Sequence, residues 1–304
     1  MKLIPPLLCL LLLFSGCEQS DSVDDSYSSE TGSGPLTIIA STEVLAALTT
    51  ELAGDSAQVI CLETTLTRQQ LSGQQISQLQ TASLIIVNGA GLESWLQTVS
   101  LPKSRLLDTT QSVRSGLLQA DGNVSHQHGP NGPQDPASLV HSTWMSPTIL
   151  QSQCTAIQQR LQKLSIDPET LNERSQKIRA EISTLTARIQ KLRKRKLSVL
   201  TTTSELGWLT HELGWTQRVV GVDYEEIEEA LKQERALMPS KQAKLILATE
   251  ETNAASNHLI PVTIDLCMET DGNDLLSRLS ANLDRLDAAV ARVPESNDLP
   301  QPAE

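Results

Sequence analysis

The stretch Leu36-Thr-Ile-Ile-Ala-Ser41 is a short apolar run of the kind that forms a buried β-strand. Residues 43–52 follow with apolar side chains at helical spacing, and a second apolar run begins at Val59. A strand, a helix and a second strand in this order predict a βαβ unit. The sequence therefore predicts an α/β fold from residue 36 onward.

The same pattern returns in the second half of the chain. Leu197-Ser-Val-Leu-Thr-Thr202 matches the first strand at an offset of 161 positions, and apolar residues follow it at helical spacing. The apolar runs that begin at Leu84 and Leu245 keep the same offset. Because the offset holds through three elements, we predict two related α/β lobes, at residues 36–160 and 197–293.

Residues 161–196, between the two copies, predict one long helix. Asp167 can cap its first turn, and Pro168 suits the first helical position. Arg193-Lys-Arg-Lys196 places positive charge at the negative end of the helix dipole. The predicted architecture is two related α/β lobes joined by one long helix. A ligand cleft is expected between the lobes, where the carboxyl ends of their strands face each other.

The N-terminus predicts export from the cytoplasm. A charged start and an apolar run from Leu3 to Phe14 are too short to span a bilayer, so residues 1–16 are interpreted as a signal peptide. The run ends in Ser15-Gly-Cys17, which resembles the bacterial lipobox, where the cysteine carries the lipid. An ordinary signal peptide with an incidental cysteine is the alternative.

The segments outside the lobes have polar compositions. Residues 17–35 contain Ser, Asp, Glu and Gly with almost nothing apolar, which is typical of a flexible tether, and residues 294–304 are predicted to be a disordered tail. We therefore expect an extracytoplasmic protein, in the periplasm or at the cell surface, that meets the membrane only through a lipid on Cys17.

Composition argues against two classes of function. The net charge of −12 would repel a phosphate backbone, and an aromatic content of 2 % leaves little surface for stacking bases, so nucleic acid is excluded as a partner. The chain also has no Gly-rich phosphate loop, nucleophile elbow or His-Glu-x-x-His motif. We expect a binding protein and no enzymatic activity.

Several motifs follow one another in a characteristic order: Leu84-Ile-Ile-Val-Asn-Gly-Ala-Gly-Leu-Glu-Ser-Trp-Leu96, Ser125-His-Gln-His-Gly129, Trp144-Met-Ser-Pro147, Leu206-Gly-Trp-Leu209 and Glu212-Leu-Gly214. Together with the long helix, they resemble the metal-binding lipoproteins that deliver zinc or manganese to ABC importers, the helical-backbone class of solute-binding proteins. The resemblance implies a monomer whose transported ligand is Zn²⁺ or Mn²⁺ and whose partner is an ABC permease.

The resemblance also implies where a metal would bind. The positions that correspond to the family's four ligands are Thr67, Ser142, Thr203 and Asp265. Only Asp265 has the usual chemistry of a metal ligand, while His141 and Glu205 are displaced substitutes beside two of the other positions. We expect these three side chains to hold the metal, with water or Glu250 completing the shell. Asp265 should be the anchor, because its neighbours in sequence are apolar and not cationic.

The chain also offers a second place for metal and other functions for the fold. His126 and His128, in a loop rich in Gly, Pro, Asn and Gln, could capture metal transiently, or they could be incidental residues of a solvated loop. A relative that has lost metal binding could hold another small ligand, such as a metal chelate or a corrinoid. An envelope adhesion or scaffold protein is a further alternative.

Overall fold

The structure, a computed structural model, describes residues 36–62, 70–120, 139–220, 232, 243–250, 259–268 and 275–294. Outside the described residues lie the predicted signal peptide and tether with Cys17, the positions Thr67, His126, His128 and His258, and all but the first residue of the predicted tail. None of the described helices is apolar over a length that would let it cross a bilayer.

The first lobe is built on a parallel sheet of four strands in the order β2-β1-β3-β4. Its strands are β1 (Leu36–Ala40), β2 (Ala57–Cys61), β3 (Leu84–Val87) and β4 (Leu106–Asp108). Helix α1 (Glu43–Ala53) follows β1 and helix α2 (Gly73–Thr81) precedes β3. Ile38, at the centre of β1, lies opposite Val59 on one side and Leu84 on the other. The predicted βαβ unit is confirmed.

The second lobe repeats this arrangement. Its strands are β5 (Ser198–Thr201), β6 (Thr216–Val219), β7 (Leu245–Ala248) and β8 (Ile260–Thr263). They form a parallel sheet in the order β6-β5-β7-β8, which is the order of the first sheet, and α5 (Gly207–Leu213) takes the place of α1. The two related α/β lobes that the internal repeat predicted are confirmed.

Three further helices connect and cover the sheets: α3 (Pro147–Gln162), α4 (Pro168–Arg193) and α6 (Leu275–Ala291). The long helix α4 begins at Pro168, as predicted, and the Asp167 carboxylate accepts a hydrogen bond of 2.8 Å from the backbone N–H of Thr170. Of the linking segment 161–196, residues 161 and 162 belong to α3, a turn precedes Asp167, and α4 ends at Arg193. Helix α4 packs against α1 of the first lobe and against α5 and α6 of the second.

Apolar side chains of both lobes meet around α4 in one large core cluster. Ile178, Ile182, Leu185 and Ile189 form the buried stripe of this helix. The four tryptophans Trp95, Trp144, Trp208 and Trp215 are buried, as the sequence predicted. The shared core makes α4 a structural spine that holds the two sheets at a fixed separation.

Candidate functional site

The 139–146 loop of the first lobe lies against the second lobe, at the expected position of the cleft. Trp144 donates a hydrogen bond of 2.8 Å from its indole N–H to the carbonyl oxygen of Leu266. The indole N–H of Trp208 donates to the carbonyl oxygen of Val140 at 3.1 Å, and the Ser146 hydroxyl donates to the Glu212 carboxylate. These polar contacts join the lobes through protein atoms alone.

Glu205 makes a further contact between the lobes. It lies in the turn that follows β5, where the Thr203 hydroxyl accepts a hydrogen bond of 3.2 Å from the Glu205 N–H. One carboxylate oxygen accepts from the backbone N–H groups of His141 at 3.1 Å and Ser142 at 2.8 Å. The other carboxylate oxygen lies 3.1 Å from Nδ1 of His141. Two predicted site residues are therefore brought together, as hydrogen-bond partners of each other.

The charge on Glu205 is stabilised by these contacts. Burial raises the pKa of its carboxyl group, but the hydrogen bonds from the His141 ring and the Ser142 N–H outweigh burial, so the pKa lies below its usual value. The carboxylate is therefore ionised at neutral pH, and a metal that took it as a ligand would have to replace hydrogen bonds that already satisfy it.

Asp265, which follows β8, is held by a cation of the protein. The guanidinium of Arg278 donates to both carboxylate oxygens, from Nε at 2.7 Å and from Nη2 at 2.8 Å. The Cys267 N–H adds a third hydrogen bond of 2.7 Å. The expectation that Asp265 has no cationic neighbour is wrong, because α6 folds back across the end of β8 and presents Arg278, which is distant in sequence.

The backbone of Asp265 is fixed to the same helix. Its N–H donates to the side-chain oxygen of Asn282 at 2.9 Å, and the Asn282 amide donates back to the carbonyl oxygen of Asp265 at 2.7 Å. Arg285, on the same face of α6, donates to the Asn282 side chain at 2.8 Å. Burial raises the pKa of Asp265, but the Arg278 and Cys267 hydrogen bonds outweigh it and the pKa is lowered.

The described donors fall short of a zinc cage. Zinc in proteins takes about four ligands from Cys, His and carboxylates, yet no three such side chains among the described residues lie close enough together to hold a metal. His141, Glu205 and Asp265 therefore do not converge as expected, and Glu250 is exposed beyond the end of β7. The hydroxyl of Ser142 donates to the carbonyl oxygen of Glu205, and that of Thr203 caps a turn.

Glu93 is a buried acid whose importance the sequence reasoning missed, although the residue lies within one of the quoted motifs. Its carboxylate accepts hydrogen bonds from the Ser41 hydroxyl at 2.6 Å and from the N–H groups of Asn88 at 2.7 Å and Gly89 at 2.9 Å. Gly89 has φ +79°, and a Cβ there would lie 2.2 Å from the Asp108 carboxylate. Burial is the largest influence and raises the pKa of Glu93 to about 7.

A buried polar network connects the Glu93 loop with the 139–146 loop. The Asn88 side chain donates to the carbonyl oxygen of His141 at 3.0 Å and accepts from the Thr143 hydroxyl at 2.7 Å. The Gln153 amide donates to the same Asn88 oxygen at 3.1 Å. The position of His141 is thus set by the end of β3 as well as by Glu205.

The remaining described histidine has no site around it. His211 is exposed in the last turn of α5, with its ring edge-to-face against Trp208 at a centroid distance of 5.9 Å. His211 is therefore a surface histidine that packs on an aromatic ring.

Comparison with known proteins gives one family and a set of similar folds. The sequence model of "Zinc-uptake complex component A periplasmic", ZnuA, matches residues 38–264. No curated protein matches the chain. Among solved structures, the metal-dependent lipoprotein YcdH from Bacillus subtilis is 15 % identical, with a TM-score of 0.68 over 83 % of this chain and 98 % of that one.

Two streptococcal proteins are similar to the same extent. The Zn(II)-bound ZnuA-like domain of AdcA from Streptococcus pneumoniae is 18 % identical, with a TM-score of 0.65 over 84 % of this chain and 99 % of that one. A mutant of the laminin-binding adhesin Lmb from Streptococcus agalactiae is 17 % identical, with a TM-score of 0.66 over 84 % of this chain and 98 % of that one. The bilobed fold is common to all of them.

Proposed function

The chain belongs to the ZnuA family, the periplasmic component A of zinc-uptake complexes, and from this premise we propose that it is the solute-binding protein of a metal ABC importer. The observation that carries the proposal is the extent of the family match, which begins in β1 and ends just before Asp265, so that it includes both sheets and α4. The protein then binds its cargo and presents it to an ABC permease, and it performs no catalysis.

Zinc is the proposed cargo, with manganese as the second candidate. Two observations support zinc: the family description names it, and the similar AdcA domain is Zn(II)-bound. The proposed ligands in the cleft are His141, Glu205 and Asp265, which lie too far apart in the structure to hold one metal together, so their side chains must move for all three to bind it. Each of them has partners within the protein, so binding proceeds by exchange of hydrogen bonds for metal bonds and should be weaker than in a cage of four free ligands.

Two parts of the proposal rest on the sequence alone. Residues 1–16 are proposed to direct export and Cys17 to carry a lipid, with residues 17–35 as the tether between the lipid and the folded lobes. His126 and His128 are proposed to capture metal before it enters the cleft.

Thermal unfolding of the chelator-stripped protein, with and without added zinc or manganese, tests this function. A ligand that binds only the folded state stabilises it by RT ln(1 + [L]/Kd), or about 4 kcal/mol when the metal is at roughly a thousand times Kd. We expect stabilisation of the wild type. It should persist in the His126→Ala, His128→Ala double variant and disappear in Asp265→Ala, each compared with its own metal-free baseline.

The possible results separate the two places for metal. Stabilisation that is lost only in the double variant would move the site from the cleft to the histidine loop. No stabilisation by any divalent metal would contradict the proposed cargo and favour a non-metal ligand or an adhesion or scaffold role.

A further inference from the structure

We infer that Arg278 is a built-in competitor for the metal at Asp265: it pairs with both of the carboxylate oxygens that a divalent cation would use as ligands. The inference rests on the proposed function and adds to it a residue that determines affinity. It follows from the contacts of Asp265, from the helix face that carries Arg278, and from the exposure of the ion pair.

The first argument is the use of the carboxylate oxygens. Nε of Arg278 lies 2.7 Å from Oδ2 of Asp265, and Nη2 lies 2.8 Å from Oδ1. This is the bidentate geometry that a guanidinium and a carboxylate prefer. Oδ1 also accepts the Cys267 N–H at 2.7 Å. A metal bond in the same direction requires at least one arginine contact to break.

The second argument is that α6 is fixed against Asp265. Arg278, Asn282 and Arg285 recur at helical spacing on one face of α6, and Asn282 exchanges two hydrogen bonds with the backbone of Asp265. Because Asn282 is buried, these two hydrogen bonds are shielded from water. Arg278 lies one helical turn before Asn282, so the helix that is bound to the Asp265 backbone also places the guanidinium at the carboxylate.

The third argument is charge. A divalent cation beside Asp265 would face the positive charge of Arg278 at contact distance. It would also lie near the positive charge of Arg285, which is hydrogen-bonded to Asn282. Like charges at this separation repel strongly where solvent is partly excluded. Arg278 therefore lowers the affinity of the site for metal in two ways, by occupying the oxygens and by repelling the incoming cation.

The fourth argument is that the ion pair can open. The side chain of Arg278 is 24 % exposed and that of Asp265 is 33 % exposed, so the guanidinium has a path to water. Ion pairs that reach solvent contribute little to stability, and a long arginine side chain can leave without unfolding its helix. A divalent metal from solution can therefore replace the Arg278 guanidinium at the Asp265 carboxylate.

Zinc binding to chelator-stripped full chain, measured by calorimetric titration, tests the inference with Arg278→Gln. This variant should bind zinc at least about tenfold more tightly than the wild type, since both repulsion and competition are removed. Arg278→Lys keeps the positive charge but cannot form the two parallel hydrogen bonds of a guanidinium, and it should gain less affinity for zinc than Arg278→Gln. The double variant Asp265→Asn, Arg278→Gln should lose the gain.

Arg188→Gln is the matched control. Arg188 is an arginine with the same 24 % side-chain exposure, and its ion pairs are with Asp284 and Asp287 instead of Asp265. Its loss changes net charge equally, and zinc affinity should stay within about twofold of the wild type, because exposed charges are screened. An equal gain in both single variants would reduce the effect to net charge and overturn the inference.

The results distinguish failure of the inference from failure of the proposed function. If the wild type binds zinc and Arg278→Gln binds no more tightly, the inference is wrong and the proposed function stands. If only Arg278→Gln binds zinc, the inference holds and the wild type is not a zinc carrier. If neither protein binds zinc or manganese, both are wrong. Circular dichroism of each variant confirms that it is folded.

Discussion

At Glu93, burial opposes three hydrogen bonds and is the larger effect, so the carboxyl group has a pKa of about 7 in the folded protein. In the unfolded chain the same group has its ordinary pKa of 4.5. The folded state therefore binds a proton that the unfolded state has released between these two pH values. Stability from this group is fully present below pH 4.5 and is lost as pH rises through about 7.

Glu93→Gln should remove this part of the pH dependence. Between pH 4.5 and pH 8 the wild type should lose roughly 3 kcal/mol of unfolding free energy that the variant does not lose, since one pKa unit corresponds to about 1.4 kcal/mol. Urea unfolding at a series of pH values measures the difference. Glu181→Gln changes an exposed carboxylate on α4 and should retain the wild-type dependence. Equal pH dependence in wild type and Glu93→Gln would contradict the burial argument.

A single residue of the site was predictable only where a sequence motif marks its position or a position beside it. The family resemblance identifies Asp265, but its partner Arg278 belongs to a helix whose path depends on tertiary packing. His141 and Glu205 were expected near each other, and they are, but as hydrogen-bond partners of each other. A carboxylate in a sequence does not show which donors will satisfy it.

Among the elements, α4 was the easiest to predict, because its start, its buried stripe and its basic end are all local signals. Asp167 caps it, Pro168 begins it, and Lys191 and Arg193 lie in its last turn. The residues before Asp167 belong to the end of α3 and to a turn that contains Ser165 at φ +62°. The sheets were predictable for a different reason, which is the constant offset of their strands.

A proline in the middle of α4 should show how far the protein depends on one continuous helix. Thr184 is exposed and lies between the buried residues Ile182 and Leu185. Thr184→Pro removes a backbone hydrogen bond and clashes with the preceding turn, which should lower the free energy of unfolding by about 3 kcal/mol or more. Thr184→Ala, measured by the same urea unfolding, should cost nothing. Equal stability of the two variants would mean that α4 is not a structural spine.

At the scale of the whole molecule, hydrogen bonds join the lobes at the expected position of the cleft. Glu205 of the second lobe holds backbone N–H groups of the first, and the Trp144 indole reaches Leu266 across the same boundary. With α4 packed on helices of both lobes, these contacts favour a fixed arrangement of the lobes. We infer that cargo enters by local exchange of side chains and not by wide opening of the cleft.

Attachment to a membrane is a property of the whole chain that rests on one residue. Replacement of Cys17 by Ser should move the protein from the membrane fraction to the soluble fraction, because this cysteine alone follows an apolar run and precedes a polar tether. Fractionation of cells that express each form measures the change. A wild-type protein that is already found in the soluble fraction after export would contradict lipidation.

Equilibrium dialysis of the chelator-stripped full chain against zinc, with bound metal counted by elemental analysis, tests the central claim most directly. The account predicts one zinc ion per chain in the wild type and in the His126→Ala, His128→Ala double variant. It predicts none in Asp265→Asn, which keeps the shape of the side chain and removes its charge. A wild-type protein that retains no more zinc or manganese than Asp265→Asn would contradict the claim that this cleft carries a metal.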